Sequence, residues 1–233
     1  MTSANADHVR ENLGLLARSE KQALIWMAGR LPRSVNSDHL SMLGLAAMAA
    51  TGLSFAAFPF TRWAALGVVV SLVVNWFGDS LDGTLARVRQ QQRPRYGFYV
   101  DHVIDIAGSA MLFGGMACSG LMSPVAALVT LAAYLLVCAE SYLATHAAGV
   151  FRLSFLGFGP TELRIVLAVG AVKAAVAPWI SIGLGDPVRL FDVGAIVGAT
   201  GLFVAFVVSS VRNTRALYHV DPRPGQPSQS RAA

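Results

Sequence analysis

Four aspartates occur close together, inside or beside segments that are otherwise apolar enough to enter a membrane: Asp79, Asp82, Asp101 and Asp105. An ionisable group at membrane depth costs roughly several kcal/mol unless it is paired, hydrated or bound to a metal, so each is a candidate functional residue. On a helix, the first two, three residues apart, and the last two, four residues apart, would each share one face. The sequence therefore predicts two acidic half-sites.

A short basic connection separates the two acidic pairs and contains Arg87, Arg89, Arg93 and Arg95. Such a connection fits a hairpin of two antiparallel helices whose acidic ends meet on one side. Four carboxylates in one pocket resist joint ionisation, and a cation relieves that repulsion. Because the candidate ligands are hard oxygens, without His or Cys, we expect Mg²⁺, Mn²⁺ or Ca²⁺ rather than zinc. Arg87 is placed to pair with a phosphate or with a neighbouring Asp.

Three small residues, Gly83, Ala86 and Gly97, lie beside the acids and leave room for a ligand to approach the helix backbone. The fixed positions form the pattern Asp79-x2-Asp82-Gly83-x2-Ala86-Arg87, nine residues, then Gly97-x3-Asp101-x3-Asp105. This pattern resembles the signature of the CDP-alcohol phosphotransferase family, also called the CDP-alcohol phosphatidyltransferases. The only departure is a connection one residue longer than usual, and the extra residue falls in the polar turn.

The resemblance implies a six-helix membrane enzyme of phospholipid synthesis that transfers a phosphoryl-alcohol unit from a CDP-alcohol to an acceptor alcohol and releases CMP. It implies that the four aspartates bind two divalent cations, Mg²⁺ or Mn²⁺, and that Asp105 also deprotonates the attacking hydroxyl. Gly83, Ala86, Arg87 and Gly97 would shape the nucleotide site. One of the two substrates is expected to be a lipid, although donor and acceptor both remain open, and the resemblance also suggests a homodimer.

The composition indicates an integral membrane protein of the all-α class. The chain has 233 residues, of which 55% are hydrophobic and 13% charged, and its mean hydropathy is +0.55. A membrane span needs about 20 apolar residues. Six segments qualify as predicted transmembrane helices: 39–58, 63–86, 97–118, 124–146, 161–182 and 191–211. Lys173 lies near the middle of the fifth, where it would pair with another helix or contact substrate.

We expect three parts: residues 1–33 with an amphipathic helix on the membrane surface, a transmembrane domain over 34–215, and a disordered cytoplasmic tail over 216–233. Apolar residues at helical spacing mark the surface helix, which Pro32 ends: Leu24, Met27, Ala28 and Leu31. The tail is rich in Pro, Ser and Gly.

The distribution of basic residues predicts the orientation of the six spans. Fifteen Lys and Arg residues fall on one side of the predicted bundle and two on the other. The positive-inside rule therefore puts both termini and the acidic helix ends in the cytoplasm, and we expect a bacterial inner membrane. Because topology accounts for the arginines, the net charge of +5 does not indicate a nucleic-acid partner.

A second polar group surrounds the exit of the fourth predicted span, with Glu140, Tyr142 and Glu162. The spacing Glu-x-Tyr, followed by Gly-Pro-x-Glu, is similar to the corresponding region of eukaryotic choline and ethanolamine phosphotransferases. Glu140 or Glu162 would suit a cationic amino-alcohol, whereas Arg152 and Arg164 would suit an anionic acceptor. Glu162 also fits a purely structural role, because an acid is favoured in the first turn of a helix.

Three other interpretations of the aspartates are open. They could cap helices and form salt bridges with the nearby arginines. A membrane prenyltransferase would also bind a pyrophosphate through Mg²⁺ and helix-borne aspartates, but that fold uses about nine spans with widely separated motifs. A cation or proton pathway would spread its acids through the membrane depth, whereas here they cluster at one end.

Overall fold

The computed structural model describes residues 17–148, 160–183 and 185–221. This part of the chain is mostly helical, which confirms the predicted class. Its elements are α1 Ala17–Ala28, α2 Ser37–Ala56, α3 Ala64–Val88, α4 Pro94–Cys118, α5 Pro124–Ala148, α6 Pro160–Val176, β1 Trp179–Ile180, β2 Val188–Arg189 and α7 Leu190–Val220. Arg152, named above, lies outside the described residues, as do residues 1–16 and 222–233.

Four of the described helices, α2, α3, α5 and α7, are long and apolar enough to cross a membrane. Four of the six predicted spans therefore coincide with helices that have the length and composition of a membrane span. α4 has 25 residues, but arginine and aspartate occupy its first half. α6 has only 17 residues, about 25 Å of helix.

The end of α6 differs from the prediction, which extended this helix to residue 182. The helix ends at Val176 because Pro178 follows, and a proline disfavours the helical conformation in the residue before it. After the proline, β1 pairs with β2 in a short antiparallel ladder that leads into α7. Lys173 therefore lies in the last turn of α6 rather than in mid-span, where its charge complements the helix C-terminus.

The first helix, α1, packs on the bundle through its apolar face. Leu24 and Ala28 are buried in a cluster with Leu40 of α2 and with Leu81 and Leu85 of α3. Its opposite face is exposed. The structure thus shows a helix where one was predicted, and its position on a membrane surface stays a prediction.

α2 is the centre of the bundle, because it packs along both α3 and α4. Glycines permit these close crossings. A Cβ on Gly78 of α3 would lie 2.6 Å from the Leu40 carbonyl oxygen, and one on Gly115 of α4 would lie 1.9 Å from the Gly52 carbonyl oxygen. α3 and α4, both fully described, make no extended contact with each other. The two helices of the predicted hairpin are therefore held side by side through α2 rather than by extended packing on each other.

The connection between α3 and α4 is anchored by two of its arginines. The Arg89 guanidinium donates to the carbonyl oxygens of Leu31 at 2.9 Å and Pro32 at 3.0 Å, and also to that of Val35. Arg93 forms an ion pair with Asp38 at the start of α2. Arg89 thus ties the connection to the segment that precedes α2, and Arg93 ties it to the first turn of α2.

α7 packs against α5 and continues to Val220. Five residues of the predicted disordered tail, 216–220, are therefore helical. At the other end of α7, the Asp192 carboxylate accepts a hydrogen bond from the Ser123 backbone N–H at 2.6 Å. At this same end, α5 and α7 share a core with α2 and α4 that includes Phe55, Leu112 and Phe191.

We predict that Gly115→Ala destabilises the protein, whereas Gly114→Ala does not. The new methyl group at position 115 would overlap the α2 backbone, and relieving such overpacking costs about 1–3 kcal/mol. Nothing lies within 4 Å of a Cβ at position 114, so alanine there should match or raise helix stability. Thermal unfolding in detergent measures both variants, and equal melting temperatures would contradict the close crossing.

Candidate functional site

Asp79 is held by Arg164 of α6, which also bonds to Asn75 on the same helix as Asp79. Its carboxylate forms an ion pair with Arg164 of α6, and the two side chains are only 27% and 15% exposed. Arg164 Nε also donates to Asn75 Oδ1 at 2.8 Å. Asn75 in turn donates to the Gly44 carbonyl of α2 at 2.9 Å. From the sequence, Arg164 was considered only as a group that binds an anionic acceptor. The signal that could have revealed its contact with Asp79 is Asn75, a polar residue one turn before Asp79 inside a predicted span.

Asp82 lies one turn further along α3 and faces α2. Its carboxylate accepts a hydrogen bond from Ser41 Oγ at 2.6 Å and another from the backbone N–H of Gly83. Asp79 and Asp101 both lie within electrostatic reach of this carboxylate. Asp101 of α4 thus approaches the acids of α3, and the contact with Ser41 is visible only in the structure.

The α4 aspartates face a polar side of α5. Asp105 lies within electrostatic reach of Tyr134, Cys138 and Tyr142, which recur every fourth residue on one face of α5. Asp101 also lies within reach of Tyr142. Tyr142, which was predicted from the sequence, thus lies near the α4 acids. Tyr134 was not predicted, and the only feature of the sequence that indicates its place on this face is its i, i+4 spacing from Cys138.

The acidic cluster offers the oxygen donors that hard divalent cations prefer. In the described residues, however, no three side chains of His, Cys, Asp or Glu are gathered closely enough to hold an ion. Asp79 instead bonds to Arg164, and Asp82 to Ser41. The chemistry of the donor set fits a divalent cation, and ligation requires these two carboxylates to share or leave their present partners.

The glycines expected to shape the nucleotide site have few close neighbours in the described part of the chain. Among those residues, a Cβ on Gly97 would meet nothing within 4 Å, and one on Gly83 would make an ordinary contact with the Arg87 guanidinium at 3.6 Å. Arg87 is exposed and donates to Thr84 Oγ1 at 3.1 Å, while Ala86 is half-buried beside it. Neither glycine is required by a close approach of another described residue, which leaves room for a ligand on this side of the described helices.

The second polar group is divided by the structure. Both Glu140 oxygens accept hydrogen bonds from α7, from Ser209 Oγ at 2.8 Å and from Asn213 Nδ2 at 2.7 Å. Glu162 occupies the first turn of α6, where its charge is favoured by the helix dipole. Of this group, Tyr142 and Arg164 reach the aspartates.

The family of the chain follows from its sequence profile. The profile described as CDP-alcohol phosphatidyltransferase matches residues 37–208. The chain belongs to this family. It is an enzyme of phospholipid synthesis that transfers a substituted phosphate group from a CDP-alcohol to an acceptor alcohol and releases CMP. As its four apolar helices indicate, it is an integral membrane protein.

Two crystal structures of Mycobacterium tuberculosis phosphatidylinositol phosphate synthase (PgsA1) have a similar fold. One has CDP-DAG bound and the other is in complex with manganese and citrate. Each is 22% identical to this phosphotransferase with a TM-score of 0.54, over 84% of this chain and 94% or 88% of the compared chain. No curated protein matches the sequence.

We predict that Ser41→Ala lowers the rate of CMP release by this phosphotransferase about tenfold. The substitution removes a hydrogen bond to a charged group, worth about 1.5 kcal/mol or more, and about 1.4 kcal/mol corresponds to tenfold in rate.

The matched control is Ser71→Ala, because Ser71 also lies between α2 and α3 and bonds to Thr51 rather than to an aspartate. It should change the rate less than about twofold. Equal losses in both variants would mean that Ser41 only supports helix packing.

Proposed function

We propose that Asp79, Asp82, Asp101 and Asp105 together hold two divalent cations, Mg²⁺ or Mn²⁺, which bind the diphosphate of a CDP-alcohol. The observation that carries this proposal is the approach of acids from two helices, with Asp79 and Asp101 both within electrostatic reach of Asp82. Four oxygen ligands without His or Cys suit these ions. When bound, such cations supply stabilisation of the charge that develops on the transferred phosphate.

The residues of the chain would act by positioning and by proton transfer. Arg87, Gly83, Ala86 and Gly97 would bind the nucleotide, with the exposed guanidinium against a phosphate. Asp105 would accept the proton of the acceptor hydroxyl while the hydroxyl oxygen bonds to phosphorus. The bond between phosphorus and the CMP oxygen breaks in the same step. The Tyr134 and Tyr142 side chains lie near Asp105 and would orient it. The products are CMP and the new phosphodiester.

The donor that we propose is CDP-diacylglycerol, so that the lipid arrives on the nucleotide. Support comes from the similar fold of an enzyme crystallised with CDP-DAG. For the acceptor, the charges favour an anionic polar alcohol, because Arg164 lies at the acids while both Glu140 oxygens are engaged by α7. A CDP-amino-alcohol donor with a diacylglycerol acceptor is the second candidate, supported by Glu140 and Tyr142.

We further propose that α4 and α6 complete a bundle of six transmembrane helices, with both termini and the acidic ends in the cytoplasm of a bacterial inner membrane. α4 packs along α2, and α6 along α3, so each lies beside a helix that is long and apolar enough to span. The excess of basic residues at the acidic end supports this orientation. A homodimer stays a prediction from the resemblance.

Two changes test the site: removal of divalent ions and Asp105→Asn. We expect CMP release to stop with EDTA and to return with Mg²⁺ or Mn²⁺. Loss of a general base alone costs about 10²–10⁴-fold in rate, and loss of a metal ligand adds to this. The control is Asp186→Asn, an exposed carboxylate in the connection before α7, which should retain full activity. Full activity in EDTA would contradict the metal site.

A matrix of donors and acceptors tests the substrates. We expect lipid product from CDP-diacylglycerol with a phosphorylated polyol, identified by mass, and none from CDP-choline or CDP-ethanolamine with diacylglycerol. The reverse result would establish the second candidate. Wild-type protein that releases no CMP from any donor in the presence of Mg²⁺ or Mn²⁺ would remove the proposed function.

A further inference from the structure

Glu20, on the N-terminal helix α1, joins three helices next to the acidic site. Its Oε1 accepts hydrogen bonds from Trp76 Nε1 of α3 at 2.6 Å and from Thr161 Oγ1 of α6 at 2.9 Å. The Ser80 hydroxyl lies 3.5 Å from the same oxygen. One carboxylate oxygen therefore links α1, α3 and α6 at a single point. A charged acceptor makes such hydrogen bonds stronger than neutral ones.

The helix that carries Glu20 is held in place by packing. Leu24 and Ala28, one and two turns further along α1, are 8% and 2% exposed and contact Leu81 and Leu85 of α3. Leu81 lies between Asp79 and Asp82 in sequence, and Leu85 lies one turn after Asp82. α1 is therefore docked along the acidic helix itself, which gives the Glu20 carboxylate a defined position.

The link made by Glu20 lies directly beside the contact between Arg164 and Asp79. On α3, Trp76 and Ser80 are the immediate neighbours of Asn75 and Asp79, the two residues that Arg164 contacts. On α6, Thr161 precedes Arg164 by three residues, about one turn. α3 and α6 are thus joined at two adjacent levels, by Glu20 at one and by Arg164 at the other.

We propose that Glu20 is a positioning residue of the acidic site: it holds the start of α6 against α3 so that Arg164 reaches Asp79. This inference rests on the proposed use of Asp79 as a metal ligand. Arg164 balances the charge of Asp79 and engages an oxygen that an ion needs. Removing Glu20 frees the start of α6, and Arg164 then pairs less well with Asp79.

The test is a double-mutant cycle on Mn²⁺ binding, measured by EPR on the purified full-length protein without substrate. Arg164→Gln removes a positive charge beside the carboxylates, so we expect Mn²⁺ to bind about fivefold more tightly or better. Glu20→Ala should tighten binding in the same direction. When Glu20→Ala is introduced into the Arg164→Gln variant, it should change the Mn²⁺ affinity by less than about twofold, because its effect acts through Arg164.

Three further variants separate positioning from general stability. Glu20→Gln keeps an oxygen that can accept from Trp76 and Thr161, so it should restore most of the wild-type behaviour. Lys21→Ala, on the exposed neighbouring residue, should bind Mn²⁺ as the wild type does. If Glu20→Ala does not fold, the cycle is repeated with variants of Thr161 on α6. Thr161→Val removes the hydroxyl that donates to Glu20 and should tighten Mn²⁺ binding, whereas Thr161→Ser keeps the hydroxyl and should not.

Two results would overturn the inference. One is that the changes in Mn²⁺ affinity caused by Glu20→Ala and by Arg164→Gln multiply in the double variant, and the other is that Glu20→Ala binds Mn²⁺ more weakly than the wild type. A wild-type protein that binds no Mn²⁺ would overturn both the metal site and the inference. Absence of CMP release from a protein that binds Mn²⁺ and shows the expected cycle would remove only the proposed reaction, because this assay needs no turnover.

Discussion

A carboxylate inside an apolar bundle must have its charge balanced, and this constraint organises the acidic end of the protein. Both aspartates of α3 draw a donor from another helix: Asp79 from α6 and Asp82 from α2. Forming these contacts costs free energy, because side chains lose conformational freedom and charged groups lose hydration. Charges kept in a bundle at this cost are therefore candidate functional groups. Because Asp79 and Asp82 bond to different partners, the described acids do not form a preassembled metal site. A cation would compete with Arg164 and Ser41 for their carboxylate oxygens.

The same constraint explains the residues around the aspartates. Asn75 and Ser41 are neutral, and each contacts both a charged group and the neighbouring backbone. Glu140, outside this cluster, is satisfied in the same manner by Ser209 and Asn213. Polar side chains in this bundle therefore occur as connected groups, which is how buried polar atoms avoid leaving unpaired donors and acceptors.

Much of the acidic site was predictable from the sequence, because helical spacing alone puts two pairs of carboxylates on two faces. Ser41 and the pairing of Arg164 with Asp79 were not, since they depend on which helices meet, and no local pattern encodes that. The length of α6 was misjudged although Pro178 stands in the sequence, because apolar residues continue beyond it. The packing of both α3 and α4 on α2 was not predicted either, because it depends on glycines of α2, α3 and α4 that let the helix backbones approach closely.

Because α3 and α4 are each packed on α2 and not on each other, the width of the gap between the acidic pairs depends on α2. Helix axes in contact lie about 8–10 Å apart, and closer where glycines meet. A larger side chain on either flank of α2 would thus widen the active-site aperture without touching a charged residue. Repacking the apolar flanks of α2 would therefore change the size of the alcohol that fits between the acidic pairs, while the four aspartates stay unchanged.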